Sequence, residues 1–310
     1  MAFSLLRMKK TLALLCLLAL VPAAPALAQS TAKSLSQVPD LIKTPEGRAK
    51  WNEQMMGKPE PDGLGVKLPA GLNRDDLVAL LTSNDEEEAT LVSLVGAKPW
   101  PRRKDSYVVI VCTHAPGEPT PREPECSHNG GNAGQPTVYV GVVEWTPGST
   151  PKLVAASGPV ARKTSWQNTD LPASPIAAED DPKGMIAPER WQRFDLAPYQ
   201  IRADGYAFGL RAGWSEGYAG GGAFFDALYL FAIVGNKLKV VLAEPMSAFQ
   251  NIAGDWNPDQ TRKHDIYEDA RILVVQPKQA TDGYYDLILK SRADGTTQRL
   301  QWSTAAQTYR

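Results

Sequence analysis

The C-terminal half of the chain contains long apolar runs joined by very short polar turns. Ala223–Val234 is followed by Gly235-Asn236, and Lys237–Ala243 then returns as a second apolar run. A two-residue connection that contains glycine and asparagine joins antiparallel strands, because its backbone dihedrals match the twist of a hairpin. This feature restricts the half to hairpins in an antiparallel sheet.

The same reasoning predicts strands along most of the chain, whereas helix signals are few. Asn73 followed by Asp75 and Asp76 predicts a short helix ending near Leu81, and the acidic run Asn84–Glu88 indicates the start of a second helical segment over Ala89–Val95. Asp294-Gly295 is a second tight hairpin signal. The predicted fold class is therefore mostly β: antiparallel hairpins in a sandwich or curled sheet, with a small N-terminal helical element. The further predicted strands are Ser106–Cys112, Thr137–Trp145, Lys152–Ala156, Phe194–Ile201 (interrupted by Pro198), Tyr206–Ala212, Ala270–Gln276, Tyr284–Arg292 and Thr296–Ser303.

Proline and glycine mark the predicted boundaries along the chain. They predict a flexible N-terminal segment at residues 29–65 and a first β-rich domain with short helices at 66–160. A linker or long loop at 161–190 then leads to a second β-rich domain at 191–310. Surface loops are expected at Ala115–Pro136 and at the glycine-rich Trp214–Gly222.

Residues 1–28 have the three parts of a secretory signal. Arg7, Lys9 and Lys10 precede an apolar run over Thr11–Val21, and the segment ends in Ala-Leu-Ala at Ala28. We expect cleavage after Ala28, a periplasmic location and no transmembrane segment in the processed chain. Cleavage removes three cations and no anions, leaving 30 basic against 34 acidic residues and a charge of −4. That charge argues against nucleic acid as a partner.

Two Cys-x-His pairs lie fourteen residues apart, at Cys112 with His114 and at Cys126 with His128. In an oxidising compartment the favoured interpretation is a Cys112–Cys126 disulfide that closes the proline-rich loop and leaves both histidines exposed. The four side chains also match zinc in ligand type, and a disulfide that brings His114 and His128 together for a metal is a third alternative.

A calcium site is a further alternative at Asp255, Asn257 and Asp259, which place oxygen ligands at every second residue. The pattern then departs from a calcium loop, because Gln260 and Ile266 stand where glycine and glutamate belong. A β-turn explains the segment without an ion. No resident cofactor is predicted, and zinc and calcium remain the alternatives.

Aromatic side chains flank the glycine-rich segment Gly217–Gly222. Trp214, Tyr218, Phe224 and Phe225 are candidate binding residues, since aromatics beside glycines form a lip that suits a sugar or a peptide. Packing in the core or at a sheet edge is the alternative interpretation.

Nucleophilic catalysis has weak support. Ser215 sits in the letters of a Gly-x-Ser-x-Gly elbow, but that elbow needs a strand-to-helix turn, and Ser215 falls in a predicted hairpin. A triad would have to join Ser215 to His264 and to Asp255 or Asp265. No catalytic residue is therefore assigned.

Two segments of the C-terminal part resemble known sequences. The first is Tyr206–Pro245, which contains Gly-Tyr-Ala-Gly-Gly-Gly and Leu-Tyr-Leu-Phe, and the second is Gly254–Asp265, which contains Asp-Trp-Asn and Arg-Lys-His-Asp. They resemble a group of exported proteobacterial proteins to which no function is assigned. The resemblance covers about the last 120 of the 310 residues and implies export and a β-rich class.

These observations favour a non-enzymatic periplasmic binding protein that recognises a protein or an envelope component. An inhibitor or immunity protein against an envelope-targeting toxin belongs to this class. The alternative is a periplasmic hydrolase that acts on an envelope substrate through Ser215 or through a metal at His114 and His128. Long proline- and glycine-rich loops and aromatic residues beside them suit recognition.

Overall fold

The computed structural model describes residues 42, 62–82, 91–117, 124–128, 135–260 and 262–310. The predicted signal segment, the acidic run at 84–88 and much of the loop at 115–136 lie outside these residues. Pro61–Arg310 form one compact unit. None of the described helices has the length and apolar character that a membrane span requires.

The described chain is β-rich and antiparallel, as predicted, with a short helix near its N-terminal side. The helices are α1 (Arg74–Thr82) and α2 (Ile176–Glu179). The strands are β1 (Leu91–Pro99), β2 (Ser106–His114), β3 (Cys126–Ser127), β4 (Thr137–Glu144), β5 (Lys152–Pro159), β6 (Thr164–Ser165), β7 (Met185–Ile186), β8 (Arg190–Arg202), β9 (Gly205–Tyr218), β10 (Gly221–Val234), β11 (Lys237–Trp256), β12 (Arg262–Thr281), β13 (Tyr284–Ser291), β14 (Thr297–Leu300), β15 (Trp302–Ser303) and β16 (Thr308–Tyr309).

Two sheets carry most of the fold. The first has the order β1-β2-β4-β5, and the second runs as a meander from β8 to β14 with β3 added at its β8 edge. Short turns fix this order: Gly235 begins the predicted two-residue turn with a φ of 68°, and Asp282 and Gly283 form another with φ of 51° and 80°. Positive φ at these positions is what tight hairpins demand. The turn at Asp294-Gly295 is longer than predicted, because β13 ends at Ser291 and β14 begins at Thr297.

The core lies in three layers, which follow from side-chain alternation along the strands. In β2, Val109 and Val111 face helix α1, whereas Val108 and Ile110 face the second sheet. Asn73 caps α1 by accepting a hydrogen bond from the Asp75 amide at 2.7 Å, as its sequence predicts. The opposite face of β8–β11 is covered by the second half of β12 together with β13, and Leu228, Leu230, Leu287 and Leu289 are among the residues that pack there.

The segment at 161–190 contributes buried side chains to this core. Trp166 is buried and makes edge-to-face contacts with Trp214 and Phe225, at ring-centroid distances of 5.2 and 5.5 Å. Leu171 and Ala178 belong to the same cluster, which also contains residues of both sheets. Residues of this segment and of both sheets therefore share one buried cluster, although the segment is rich in Pro and Ser and has few large apolar side chains.

Two local predictions are corrected. Of the segment predicted as helical over Ala89–Val95, residues 91–95 are the start of strand β1, because Leu94 and Val95 pack on opposite sides of the first sheet, and residues 89–90 lie outside the described residues. Strands β9 and β10 extend into the segment predicted as a loop at Trp214–Gly222, and only two residues separate the end of β9 from the start of β10. Glycine here permits close packing: a Cβ on Gly221 would lie 1.9 Å from the Asn251 carbonyl oxygen.

Cys112 and Cys126 form the predicted disulfide, with a Cα–Cα distance of 5.7 Å. Both residues are buried in the core. Cys112 lies on β2 of the first sheet and Cys126 on β3 of the second, so the bond joins the two sheets and not only the ends of a surface loop.

Candidate functional site

Strands β9–β12 extend past the part of the second sheet that the other layers cover. We define the distal arm as residues 215–225 of the β9–β10 hairpin and 249–260 with 262–268 of the β11–β12 hairpin. Phe224 lies between Ser215 on β9 and Phe249 on β11, and Asn251 lies between Gly222 and Ile266. The β11–β12 hairpin continues beyond this point to the pair formed by Trp256 and Arg262.

The distal arm concentrates the exposed apolar surface of the described residues. Among all the described residues, nine large apolar side chains are exposed. Five of them belong to the arm: Phe224 (56%), Ile252 (38%), Trp256 (69%), Ile266 (61%) and Tyr267 (47%). Single exposed apolar residues are ordinary, whereas a cluster of them marks an interaction site. The clustering therefore makes the arm the candidate site.

Strand alternation divides the arm into two faces. Phe224, Phe249 and Ile266 lie on one, which we call the front face, and Ile252 and Tyr267 lie on the other. The Phe224 and Phe249 ring centroids are 6.3 Å apart. The front face thus has an aromatic centre on a paired, three-strand support.

A buried ionic cluster lies between the front face and the core. The Arg211 guanidinium contacts Asp195 through Nη2 at 2.8 Å and Asp226 through Nη1 at 2.8 Å, with all three side chains at most 20% exposed. Burial raises the pKa of Asp226, and Arg211 opposes that change. Asp226 lies on β10 between Phe224 of the arm and Leu228 of the core, so the cluster ties three strands together at the base of the arm.

The structure separates the four predicted binding aromatics. Trp214 and Phe225 are directly paired and buried, and the Trp214 Nε1–H donates to the Ala187 carbonyl at 2.8 Å. Tyr218 is half-buried and Phe224 is exposed. The physical reason is the two-residue period: Trp214 and Phe225 face the first sheet, whereas Phe224 faces the opposite way. Trp214 and Phe225 are therefore core residues and not surface contacts.

Sequence reasoning missed most of the arm. Phe249, Ile252, Ile266 and Tyr267 were not singled out, and Trp256 appeared only as a neighbour of the predicted calcium ligands. A signal was present for Ile266 and Tyr267, because two apolar residues stand inside the charged run Arg262–Asp269. Such a pattern is typical of an exposed strand.

Ser215 and His264 do not form a catalytic pair. Strands β10 and β11 lie between β9 and β12, so the two residues are about 14 Å apart or more at the usual strand spacing. The Ser215 Oγ accepts a hydrogen bond from Arg190 Nη1 at 2.9 Å, and His264 Nδ1 lies 2.7 Å from the Asn251 Oδ1. The triad considered from the sequence is not assembled.

The predicted metal ligands fall in separate places. His114 is buried at the end of β2, in contrast to the exposure expected for it, and the backbone N–H of His128 donates to the Glu189 carbonyl at 2.6 Å. Asp255 is the penultimate residue of β11, and Asn257 and Asp259 belong to the β11–β12 turn, which is closed by a hydrogen bond from the Gln260 amide to the Asn257 carbonyl at 3.0 Å. Among the described residues, no group of three or more His, Cys, Asp or Glu side chains is placed to hold a metal ion.

Comparisons with protein-family models, curated proteins and solved structures gave no match. The distal arm is therefore the feature from which a function is inferred.

Proposed function

We propose that this chain is a non-enzymatic binding protein that recognises another protein through the front face of the distal arm. The observation that carries the proposal is the cluster of exposed apolar side chains at one end of a rigid sheet. Stable interfaces place aromatic anchors at the centre and charged residues at the rim. Phe224 and Phe249 supply such a centre.

Charge around the apolar centre favours a protein partner. Glu268 lies beside Phe249 on the front face, and Arg262 stacks over the Trp256 ring at 5.4 Å. The arm is a paired sheet with side chains on both faces, and two cavities of about 360 and 320 Å³ lie away from it, beside Trp302 and Trp100. A small ligand is usually held in a cavity, whereas a sheet surface suits a macromolecule.

The cellular setting completes the proposal. The leader predicted from residues 1–28 and a disulfide between two sheets agree with the periplasm, where paired cysteines oxidise. An inhibitor or immunity role against an envelope-targeting toxin is the finer form of the proposal, and the identity of the partner tests it. Recovery of protein beginning at Gln29 from the periplasmic fraction is expected, and recovery from the cytoplasm with residues 1–28 attached would contradict export.

Site-specific photo-crosslinking tests the front face directly. A photoreactive residue placed at Phe224 should give one discrete protein adduct in producing cells, whereas the same residue at Leu153, which is 42% exposed on β5, should give none. The captured protein, once purified, should bind the unmodified chain and lose about tenfold or more in affinity when Phe224 is changed to Ser. Adducts of equal yield from both positions, or adducts only to lipid or glycan, would overturn the proposal.

A further inference from the structure

Part of strand β12 is an open sheet edge. Residues 262–270 pair with β11, but β13 pairs with β12 only from Arg271 onward. Within the described part of the chain, no strand pairs with the outer edge of residues 262–268, and these residues are exposed. The outermost strands of the same sheet are short by comparison, with four residues in β14 and two in β3.

An open edge presents unpaired backbone N–H and C=O groups and is a template for another strand. Proteins usually protect such edges with charges that repel an approaching copy. On this edge the charges are separated along the strand. Arg262 and Lys263 stand at one end with the imidazole of His264 beside them, and Glu268 stands at the other end, with Ile266 between them. The Asp269 carboxylate is buried and accepts hydrogen bonds from the Ser291 hydroxyl and the Ala293 amide, so it is not part of the open edge.

This separation makes the edge complementary to itself in an antiparallel arrangement. With Ile266 opposite Ile266 of a second copy, His264 lies opposite Glu268, where an imidazole N–H can donate to the carboxylate, and Asp265 lies opposite Tyr267. Opposite charges across two strands are stabilising and like charges are destabilising. No like charges face each other in this register.

The neighbouring registers are worse. A two-residue shift in one direction places Asp265 opposite Asp265 of the second copy. A two-residue shift in the other direction places Ile266 opposite Glu268 and separates His264 from Glu268. A one-residue shift is excluded, because directly opposite residues would then point to different faces. The charges therefore select a single register centred on Ile266.

We propose that two copies of this chain associate through residues 262–268 of β12, antiparallel and centred on Ile266, to form one continuous sheet. The two-fold axis is normal to the sheet, so both front faces lie on the same side of the dimer. The dimer uses the strand edge and needs no other protein. It therefore stands or fails independently of partner binding.

Cysteine crosslinking tests the register. In Ile266→Cys the two new thiols meet at the axis, where directly opposite Cα atoms are about 4.5–5.5 Å apart, within disulfide range. Ile252→Cys is the matched control, because Ile252 lies one strand further from the axis on β11. Under mild oxidation the full chain with Ile266→Cys should run as a covalent dimer on a non-reducing gel, and the control should remain monomeric. Equal crosslinking of both variants would overturn the register.

A charge exchange tests the complementarity. Sedimentation of the unmodified chain over a concentration series should show a monomer–dimer equilibrium. His264→Glu alone and Glu268→Lys alone should each weaken the dimer by about tenfold or more, and an equal mixture of the two variants should restore it. Exposed Lys152 and Glu179 supply the controls, as Lys152→Glu and Glu179→Lys should leave the equilibrium unchanged. A monomer at every concentration, or a dimer indifferent to all four changes, would overturn the proposal.

Discussion

The replacement Arg211→Met removes the cation of the buried cluster at the base of the distal arm. Three charge-assisted contacts of 2.8–2.9 Å are lost, and Asp195 and Asp226 are left facing each other in a site that is at most 20% exposed. Removing one partner of a buried ion pair costs about 3–5 kcal/mol, because the remaining charge is desolvated without compensation. That loss is a large fraction of the roughly 5–15 kcal/mol that holds such a protein folded.

Urea unfolding followed by tryptophan fluorescence measures this cost. Arg103→Met is the matched control, since the Arg103–Glu144 pair has the same contact distance of 2.9 Å but both side chains are more than 40% exposed, and a surface pair contributes about 0–1 kcal/mol. The combined variant with Asp195→Asn, Arg211→Met and Asp226→Asn should recover most of the lost free energy of unfolding.

The cluster also predicts a pH effect. Burial raises the pKa of Asp226, and the change is larger without Arg211, so the folded state of Arg211→Met holds a proton that the unfolded state lacks. Its stability deficit relative to the unmodified chain should therefore shrink as the pH falls from 8 to 5. A cost as small as that of Arg103→Met, or a deficit that grows on acidification, would refute the reasoning.

Other predictions concern the core, the arm and the disulfide. Burial raises the pKa of Glu244 to about 7 from the ordinary 4.5, so the stability of the folded chain should fall as the pH rises between those values. Glu244→Gln should remove this fall. Urea unfolding should then show a gain of about 3 kcal/mol for the variant relative to the unmodified chain between pH 5 and pH 8. Gly221→Ala should destabilise the chain by about 1–3 kcal/mol, since its Cβ would lie 1.9 Å from a backbone oxygen of β11, whereas Gly217→Ala meets nothing within 4 Å and should lower the melting temperature much less. Replacing Cys112 and Cys126 with Ser should cost about 3 kcal/mol in unfolding free energy, the amount expected for closing a loop of fourteen residues, and no change on reduction would contradict a formed disulfide.

Local signals predicted the elements of this fold well. The Gly235-Asn236 turn, the Asn73 cap and the β-branched run in β2 each act through near neighbours in the chain, so they can be read from the sequence. Long-range packing could not be read in this way. The few large apolar residues within 161–190, Trp166 among them, are not spaced at the two-residue period of a strand or the 3.6-residue period of a helix, although they belong to the core of both sheets.

Sequence reasoning places the candidate binding aromatics on the β9–β10 hairpin, in or next to the distal arm, but two of the four are buried. Aromatics beside glycines drew attention to the β9–β10 hairpin, and only Phe224 of the four proved exposed. A loop has no alternation of side chains between two faces, so the prediction of a loop here did not distinguish Trp214, which faces the core, from Phe224, which faces outward. Pairing between strands distant in sequence then brings Phe249 and Ile266 to the same face, which no local pattern specifies.

The affinity of the purified partner for front-face variants tests the central claim most directly. Phe224→Ser combined with Phe249→Ser should weaken binding by about a hundredfold, roughly 3 kcal/mol, with a thermal unfolding curve close to that of the unmodified chain. Leu153→Ser, at a similarly exposed position outside the arm, should leave the dissociation constant unchanged. A dissociation constant equally insensitive to both changes would show that the front face is not the recognition surface.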